Sequence, residues 1–140
     1  MFEQDYIMRL IKEMVRMFLK LLFNIDTNMP AADLITDKEV KSVLDELLEM
    51  TDHRQINEAE NKLWDMADGA DRRYLEIGLL FYLYLNEKDD DFLFSASFCR
   101  EEIQNGLKEL VSRYGLSDMA EIFFMREWKV KNKWERMDMK

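Results

Sequence analysis

The sequence has little cysteine, proline, glycine and histidine. Its 140 residues include one cysteine, one proline, four glycines and one histidine. A single cysteine excludes an intramolecular disulfide and a multi-cysteine zinc cluster, and it is typical of a protein in a reducing cytoplasm. The scarcity of glycine and proline argues against a β fold, which needs many turns. We therefore expect a cytoplasmic protein that is not built from strands.

The pattern of a catalytic or metal site is also lacking. His53 has neither Cys99 nor a Ser–Asp pair near it in sequence, and catalysis needs such partners within reach. We therefore expect an exposed histidine in the first turn of a helix. The acidic run at 87–91 lacks the ligand spacing and the glycine of a calcium loop, which indicates a solvated turn. No catalytic residue, metal or cofactor is predicted.

Positive charge is scarce as well. Lys and Arg total 20 against 29 Asp and Glu, which gives a net charge of −9. This balance opposes a general attraction to nucleic acid or to anionic membranes. The N-terminus has no positively charged lead, and charges interrupt its apolar residues every three or four positions, so no signal peptide is predicted.

Apolar residues and helix-forming residues are abundant. Hydrophobic residues make up 48% of the chain and aromatic residues 12%, which is ample for one core. Alanine, leucine, methionine, glutamate, lysine and arginine are frequent, and all of them favour helices. The composition predicts an all-α fold in one domain that comprises residues 1–140.

The stretch from Tyr74 to Leu85, which reads YLEIGLLFYLYL, is apolar on every side of a helix and carries one charge, Glu76. It is shorter than the roughly 20 residues that cross a bilayer. We predict a central helix at 71–86 inside a compact bundle of about six helices, with a solenoid-like array of helical hairpins as the alternative. The single apolar stripes of the second, third and fifth helices are expected to wrap it. Arg72 and Arg73 are expected to pair with Glu76.

The first helix is predicted at 4–23, and a loop at 24–35 follows it. Its charges fall in one arc of about 100°, so the apolar arc of about 220° exceeds what one neighbour covers. Three uses of this surplus remain open: contact with a membrane surface, a homo-oligomer interface, or burial in the chain's own core. The candidate interface residues are Ile7, Leu10, Met14, Met17, Phe18 and Leu21.

The second helix is predicted to start at Thr36, where Thr36 and Glu39 fit a capping box. It is expected to end near Met50, and Thr51-Asp52 offers the cap of a third helix that runs to Ala67. Residues 92–98 are apolar without periodicity, which indicates an extended or irregular connection.

A fifth helix has the clearest start signal in the chain. Cys99 is predicted as its N-cap, with Glu102 completing a box, and Gly115 is predicted to end it. A thiol at a helix N-terminus favours the thiolate, whereas Glu101 and Glu102 oppose it. Cys99 is therefore either a replacement for serine at a cap or a reactive thiol.

Two glycines lie inside predicted helices, at Gly78 and Gly106. Glycine costs about 1 kcal/mol in a helix interior relative to alanine. We therefore predict that both positions mark close approaches between helices.

The last helix is predicted to run from Ser117 to at least Trp134, with apolar residues on two faces. Phe124 and Trp128 are further candidate interface residues. The segment Trp128–Arg136 mixes cations with tryptophans, which can bind nucleic acid. Its two tryptophans are six residues apart and point about 120° from each other, so they do not form one stacking platform.

Two segments resemble a known family. The opening FEQDYIMRLIKEMVR, followed by LLFNID, and the later Phe98–Ile103 resemble an uncharacterised family of small helical bacterial proteins, conserved hypothetical proteins of Gram-positive anaerobes, in which serine is expected at the cap held by Cys99. The resemblance covers most of the chain. It implies a helical fold and a cytoplasmic bacterial origin, and it assigns no activity and no catalytic residue.

These observations favour a non-enzymatic helical protein–protein interaction module, which forms a homodimer through its first or last helix or binds another protein. One alternative is a regulator that binds nucleic acid through Trp128–Arg136. Another is a small-ligand or enzymatic pocket among Tyr74, Glu76, Tyr82 and Tyr84. Neither nucleic acid nor a membrane is expected as the main partner.

Overall fold

The computed structural model describes residues 2–25, 37–123 and 125. These residues form seven helices and no strand, which confirms the all-α prediction and the packed helical bundle. In chain order the helices are α1 (Phe2–Phe23), α2 (Lys38–Asp52), α3 (Ile56–Met66), α4 (Arg72–Glu87), α5 (Asp90–Ser95), α6 (Arg100–Arg113) and α7, of which residues 117–123 and 125 are described.

Helix α4 is the centre of the bundle. Asp71 caps it, because the carboxylate accepts a hydrogen bond from the Arg73 backbone at 3.0 Å. Every residue from Ile77 to Leu83 is buried. Helices α1, α2 and α6 pack on α4, and α3 contacts it less extensively. The predicted central helix is thus confirmed within one residue at each end, with α1 as an additional neighbour.

Helix α1 buries one continuous stripe against α4 and α6. The buried residues recur at helical spacing and are Leu10, Ile11, Met14, Val15, Phe18 and Leu19. The prediction that Leu10, Met14 and Phe18 belong to an interface was wrong, because the chain's own core already covers these side chains. Ile7 and Met17 are half-buried against that core, and Leu21 alone is largely exposed, at 63%. Phe124 and Trp128 lie outside the described residues.

The capping predictions around α2 and α3 were wrong. Asp37 is the N-cap of α2, and its carboxylate accepts from the Glu39 and Val40 backbone at 3.0 and 3.4 Å. Thr36 and residues 26–35 of the predicted loop lie outside the described residues. Helix α2 continues to Asp52, because the buried Thr51 hydroxyl donates to the Leu47 carbonyl at 2.9 Å instead of capping a new helix.

Residues 92–98 are not an extended connection, because most of the apolar run lies in α5. Asp89 is the N-cap of this six-residue helix and accepts from the Phe92 backbone at 2.7 Å. The acidic run therefore supplies a cap and a first turn, where negative charge complements the helix dipole. Cys99 is the N-cap of α6 as predicted, but its side chain makes no capping hydrogen bond, and it contacts the Glu102 carboxylate at 3.7 Å instead of completing a capping box. Helix α6 ends just before Gly115, which has a φ of 74°.

Both predicted close approaches are confirmed. A Cβ at Gly78 would lie 2.5 Å from Leu110 Cδ2, and a Cβ at Gly106 would lie 2.6 Å from Tyr82 Cζ. At Gly106 a side chain would overlap the rigid Tyr82 ring, whereas at Gly78 it would overlap the end of the Leu110 side chain, which can shift more easily.

We expect Gly106→Ala to lower the free energy of unfolding by about 1–3 kcal/mol. The added methyl group overpacks the contact, which costs about 1–3 kcal/mol, and it also displaces the Tyr82 hydroxyl from its hydrogen bond. The higher helix propensity of alanine stabilises the variant by about 1 kcal/mol and offsets part of this loss. Urea denaturation measures the change. Asn105→Ala, at the exposed neighbouring position, is the control, and an equally small effect for both variants would contradict the close approach.

Candidate interaction surface

The tyrosines of the central helix do not converge on one pocket. The Tyr82 hydroxyl donates to Glu60 Oε2 of α3 at 2.7 Å, and the Tyr84 hydroxyl donates to Asp52 Oδ1 at the end of α2, also at 2.7 Å. Tyr74 lines a separate small cleft between α2 and α4. Each of the three tyrosines therefore contacts a different part of the bundle, and the small-ligand pocket stays a prediction.

Glu76 is half-buried and has no ion pair among the described residues. Its two predicted partners are used elsewhere: Arg72 donates to the Leu22 carbonyl at 3.3 Å, and Arg73 donates to Asp71 at 2.9 Å. Burial, with the charge of Asp37, raises the pKa of the Glu76 carboxyl. The predicted exposed ion pair was wrong.

Tyr82 and Glu60 form a polar pair inside the core. Tyr82 is fully buried beside Phe81 and Trp64, and Glu60 is half-buried. Burial raises the pKa of the Tyr82 hydroxyl, and the adjacent Glu60 charge adds to this rise. Burial also raises the pKa of the Glu60 carboxyl, while the Tyr82 hydrogen bond partly opposes that shift. The hydrogen bond thus satisfies a buried hydroxyl, which would otherwise cost about 1–3 kcal/mol.

The raised pKa of Glu60 predicts a pH dependence of stability. Because this pKa lies above its ordinary value of 4.5, the native state keeps a proton that the unfolded chain loses. The resulting stabilisation is complete below pH 4.5 and is lost as pH rises through the raised pKa. We expect the unfolding free energy of the wild type to fall relative to that of Glu60→Gln as pH rises from below 4.5 to neutrality.

Parallel denaturant titrations of the two proteins measure this difference, and subtraction removes the contribution of other groups. A wild type that gains stability relative to Glu60→Gln over the same range would show that the pKa is lowered instead.

Cys99 and His53 make no hydrogen bond with each other within the described residues. Burial and the charges of Glu101 and Glu102 raise the pKa of the Cys99 thiol, so the structure opposes the thiolate that the cap position alone would favour. His53 is exposed as predicted, although it lies at the C-cap of α2 and not in the first turn of α3. Within the described residues, no three or more His, Cys, Asp or Glu side chains lie close enough together to hold a metal ion.

A buried arginine fixes the corner where α4, α5 and α6 meet. Arg100 is 3% exposed. Its guanidinium donates to the Asn86 backbone carbonyl at 2.6 Å, to the Lys88 carbonyl, and to Asp90 Oδ1 at 3.1 Å. Asn86 in turn donates from Nδ2 to the Met8 carbonyl of α1 at 2.7 Å. One side chain thereby ties the C-terminal end of α4 to α5, α6 and, through Asn86, α1.

Helix α5 is also held by Arg54, in the turn after α2, and by Lys88 at the end of α4. Arg54 has a φ of 64°, places its guanidinium 4.8 Å from the centre of the Phe92 ring and donates to Ser95 Oγ at 2.9 Å. Lys88 lies 4.9 Å from the same ring. Cation–π contacts of this kind contribute about 0.5–1 kcal/mol each at exposed sites, so α5 is fixed despite its six residues.

This fixed helix presents a phenylalanine to solvent. Phe94 is 85% exposed, the most exposed of the large apolar residues in the described part of the chain. Leu93 is buried and Phe92 is half-buried. The run of three apolar residues was a signal for this exposure, because a short helix that packs only one face on the core, unlike the enclosed α4, leaves part of such a run in solvent.

A second apolar feature lies between α6 and α7. A groove of about 380 Å³ is lined by Lys108, Val111, Ser117, Ala120, Glu121 and Met125. Met125 is 59% exposed at its edge, and Ile122 is 68% exposed on the same helix. The predicted surplus of apolar surface at the last helix is therefore present in its described part.

None of the helices in the described part of the chain combines the length and hydropathy needed to cross a bilayer. Comparison with curated proteins gave no match, and comparison with solved structures gave none either. One family model matches residues 1–115, from α1 through the end of α6. The chain therefore belongs to a family of unknown function, DUF6483.

Proposed function

We propose that this protein is a non-enzymatic helical module that binds other proteins and forms a homodimer through the surface of α6 and α7. The observation that supports the proposal is the apolar groove between these helices, with Met125 exposed at its edge and Ile122 exposed on the same helix. Burial of one such side chain contributes about 1.5–3 kcal/mol. An interface that covers both residues in two subunits therefore gains a substantial part of a dimer's free energy.

A second copy of the chain is the partner that the charges of the groove favour. Lys108 lies on the α6 side of the groove and Glu121 on the α7 side. In a twofold dimer, a residue of one subunit that contacts a second residue of the other subunit is matched by the reverse contact. A surface that carries one cation and one anion can therefore pair with a copy of itself. The groove is more suited to such pairing than the strongly acidic surface of the remaining bundle.

Sedimentation equilibrium tests the dimer. We expect the wild type to dimerise and the double variant Ile122→Lys, Met125→Lys to be monomeric at the same concentration. Leu21→Lys is the matched control, because Leu21 is equally exposed but lies on α1. A wild type that is monomeric at high micromolar concentration overturns the proposal. A dimer that is dissociated by Leu21→Lys but not by the double variant would show that the interface lies on α1 instead.

The distribution of charge supports a second candidate, a regulator that binds nucleic acid through Trp128–Arg136. Residues 126–140 contain six Lys or Arg and three Asp or Glu, whereas residues 37–125 contain ten and twenty-one. The C-terminal segment is thus basic on an acidic protein, and it lies beyond the family match. A gel shift that weakens steeply with salt would support this candidate, and absence of a shift at low salt would eliminate it.

The proposal places the protein in the cytoplasm of a bacterium, in the Gram-positive anaerobes that the sequence resemblance implies. The single cysteine supports a reducing compartment. Fractionation of the native host, with immunodetection of the chain, tests this location.

A further inference from the structure

Helix α1 carries a row of cations that the fold does not use. Arg9, Lys12, Arg16 and Lys20 follow one another at steps of three or four residues, which places them within an arc of about 80° on the helix. Arg9, Lys12 and Lys20 are exposed, and Arg16 is half-buried. This arc lies opposite the stripe that α1 buries in the core. The four residues therefore form one solvent-facing surface, which we call the basic stripe.

The cations of the basic stripe have no partner in the described part of the chain. None of them forms an ion pair or a side-chain hydrogen bond with another described residue. Arg16 even has a buried Nε atom without an acceptor, which is uncommon in folded proteins. Most other cations of the described part do have partners, for example Arg54, Arg73, Lys88 and Arg113. The positive charge of the stripe is thus available to an outside partner.

Two anions border the basic stripe without interrupting it. Asp5 lies one turn before Arg9, and Glu13 lies at the edge of the arc; both are exposed. Between Arg9 and Lys20 the arc itself carries only positive charge, over a length of about 16 Å. The rest of the bundle has the opposite balance, since residues 37–125 contain ten Lys or Arg and twenty-one Asp or Glu.

The short length of the basic stripe determines which anion it fits. A nucleic acid or an anionic bilayer extends beyond the stripe, and the excess meets a protein with a net charge of −9, which repels it. A helix that binds a membrane surface must also insert its apolar face, whereas that of α1 is buried in the core. A short acidic segment of another protein avoids both costs, because it ends where the stripe ends.

A helix is the segment whose carboxylates match the spacing of the stripe. Lys12, Arg16 and Lys20 are four residues apart, which is about 6 Å along the helix axis. Asp or Glu residues at the same four-residue spacing on a second helix can face these cations when the two helices lie side by side. The aliphatic stems of lysine and arginine add apolar contact, and the charged hydrogen bonds set the register.

We infer that the basic stripe of α1 binds a short acidic helix of a partner protein, about three turns long, with carboxylates four residues apart. The inference rests on the proposal that this protein binds other proteins, and it names the surface and the chemistry of one such partner. It does not depend on the homodimer through α6 and α7.

Fluorescence anisotropy with a labelled peptide tests this binding in the full-length chain. The probe is an alanine-rich helical peptide of about 16 residues with three glutamates spaced four residues apart. The control peptide has the same composition with its glutamates five residues apart, which turns them to different sides of the helix. We expect the probe to bind at low salt, more tightly than the control peptide, and to dissociate as salt is added. Equal affinity for the two peptides overturns the inference.

The double variant Lys12→Gln, Lys20→Gln tests the stripe. Its dissociation constant for the probe is expected to rise about tenfold, because one exposed ion pair contributes up to about fivefold in affinity. Lys38→Gln, Lys41→Gln is the matched control, since it removes two exposed lysines of α2 and changes the net charge equally. The control should bind like the wild type. No loss in the stripe variant, or an equal loss in both variants, overturns the inference.

The same variants separate the acidic helix from other anions. A single-stranded oligonucleotide, or phosphatidylserine vesicles, that bound more tightly than the probe and lost affinity in Lys12→Gln, Lys20→Gln would overturn the acidic helix as the occupant. Absence of probe binding at low salt overturns the inference and leaves the homodimer standing. A wild type that sediments as a monomer overturns the homodimer alone.

Discussion

Replacement of Arg100 with alanine is expected to lower the free energy of unfolding by about 2–5 kcal/mol, because each backbone carbonyl left without its donor costs about 1–3 kcal/mol. The guanidinium is buried and serves the Asn86 and Lys88 carbonyls as well as the Asp90 carboxylate. Its removal leaves these acceptors without their donor at the end of α4 and opens a space at the junction of three helices. Because native domains are stable by about 5–15 kcal/mol, this loss brings the chain close to unfolding.

Urea denaturation followed by tryptophan fluorescence measures the effect of Arg100→Ala. Arg73→Ala is the matched control, because Arg73 is also an arginine with a carboxylate partner but lies on the surface. The midpoint of the control should stay close to that of the wild type. Equal and small shifts for the two variants would mean that Arg100 does not hold the corner together.

Phe81→Ala is expected to cost about 3–5 kcal/mol. Phe81 is completely buried in the middle of α4, and its ring meets that of Tyr82 edge to face with 5.2 Å between centroids. The substitution removes apolar contacts and leaves a cavity between α4 and its neighbours.

Phe94→Ala supplies the control, because it makes the same chemical change at an exposed site. Both variants are compared with the wild type at submicromolar concentration, where association contributes little. The control is expected within about 0.5 kcal/mol of the wild type. A loss below about 1 kcal/mol for Phe81→Ala would contradict its central place in the core.

The sequence predicted the helices whose apolar residues recur over several turns. Helix α4 is recognisable because Ile77–Leu85 is apolar throughout, and α6 because the Cys99 cap, the Ile103 stripe and Gly115 agree on its bounds. Gly78 and Gly106 revealed where the two helices touch, since glycine inside a helix needs a steric reason. These features depend on local pattern, which is why sequence reasoning could find them.

The remaining features depend on contacts between distant residues. Helix α5 is too short for a periodic signal, although Asp89 three residues before Phe92 is the pattern of an N-cap. The Tyr82–Glu60 pair joins residues 22 positions apart, and the burial of Arg100 depends on carbonyls that α4 presents only after it packs. The surplus apolar face of α1 was recognised, but the sequence could not show that α4 and α6 cover most of it.

The position of α1 in the bundle has a consequence for biosynthesis. Helix α1 is made first, yet the helices that bury Phe18 and its neighbours, α4 and α6, end only at Glu87 and Arg113. At about 5–20 residues per second, translation needs roughly 5–20 s to add those residues. The nascent chain therefore carries an uncovered apolar helix for seconds, and a product truncated before α6 is expected to aggregate or to bind a chaperone.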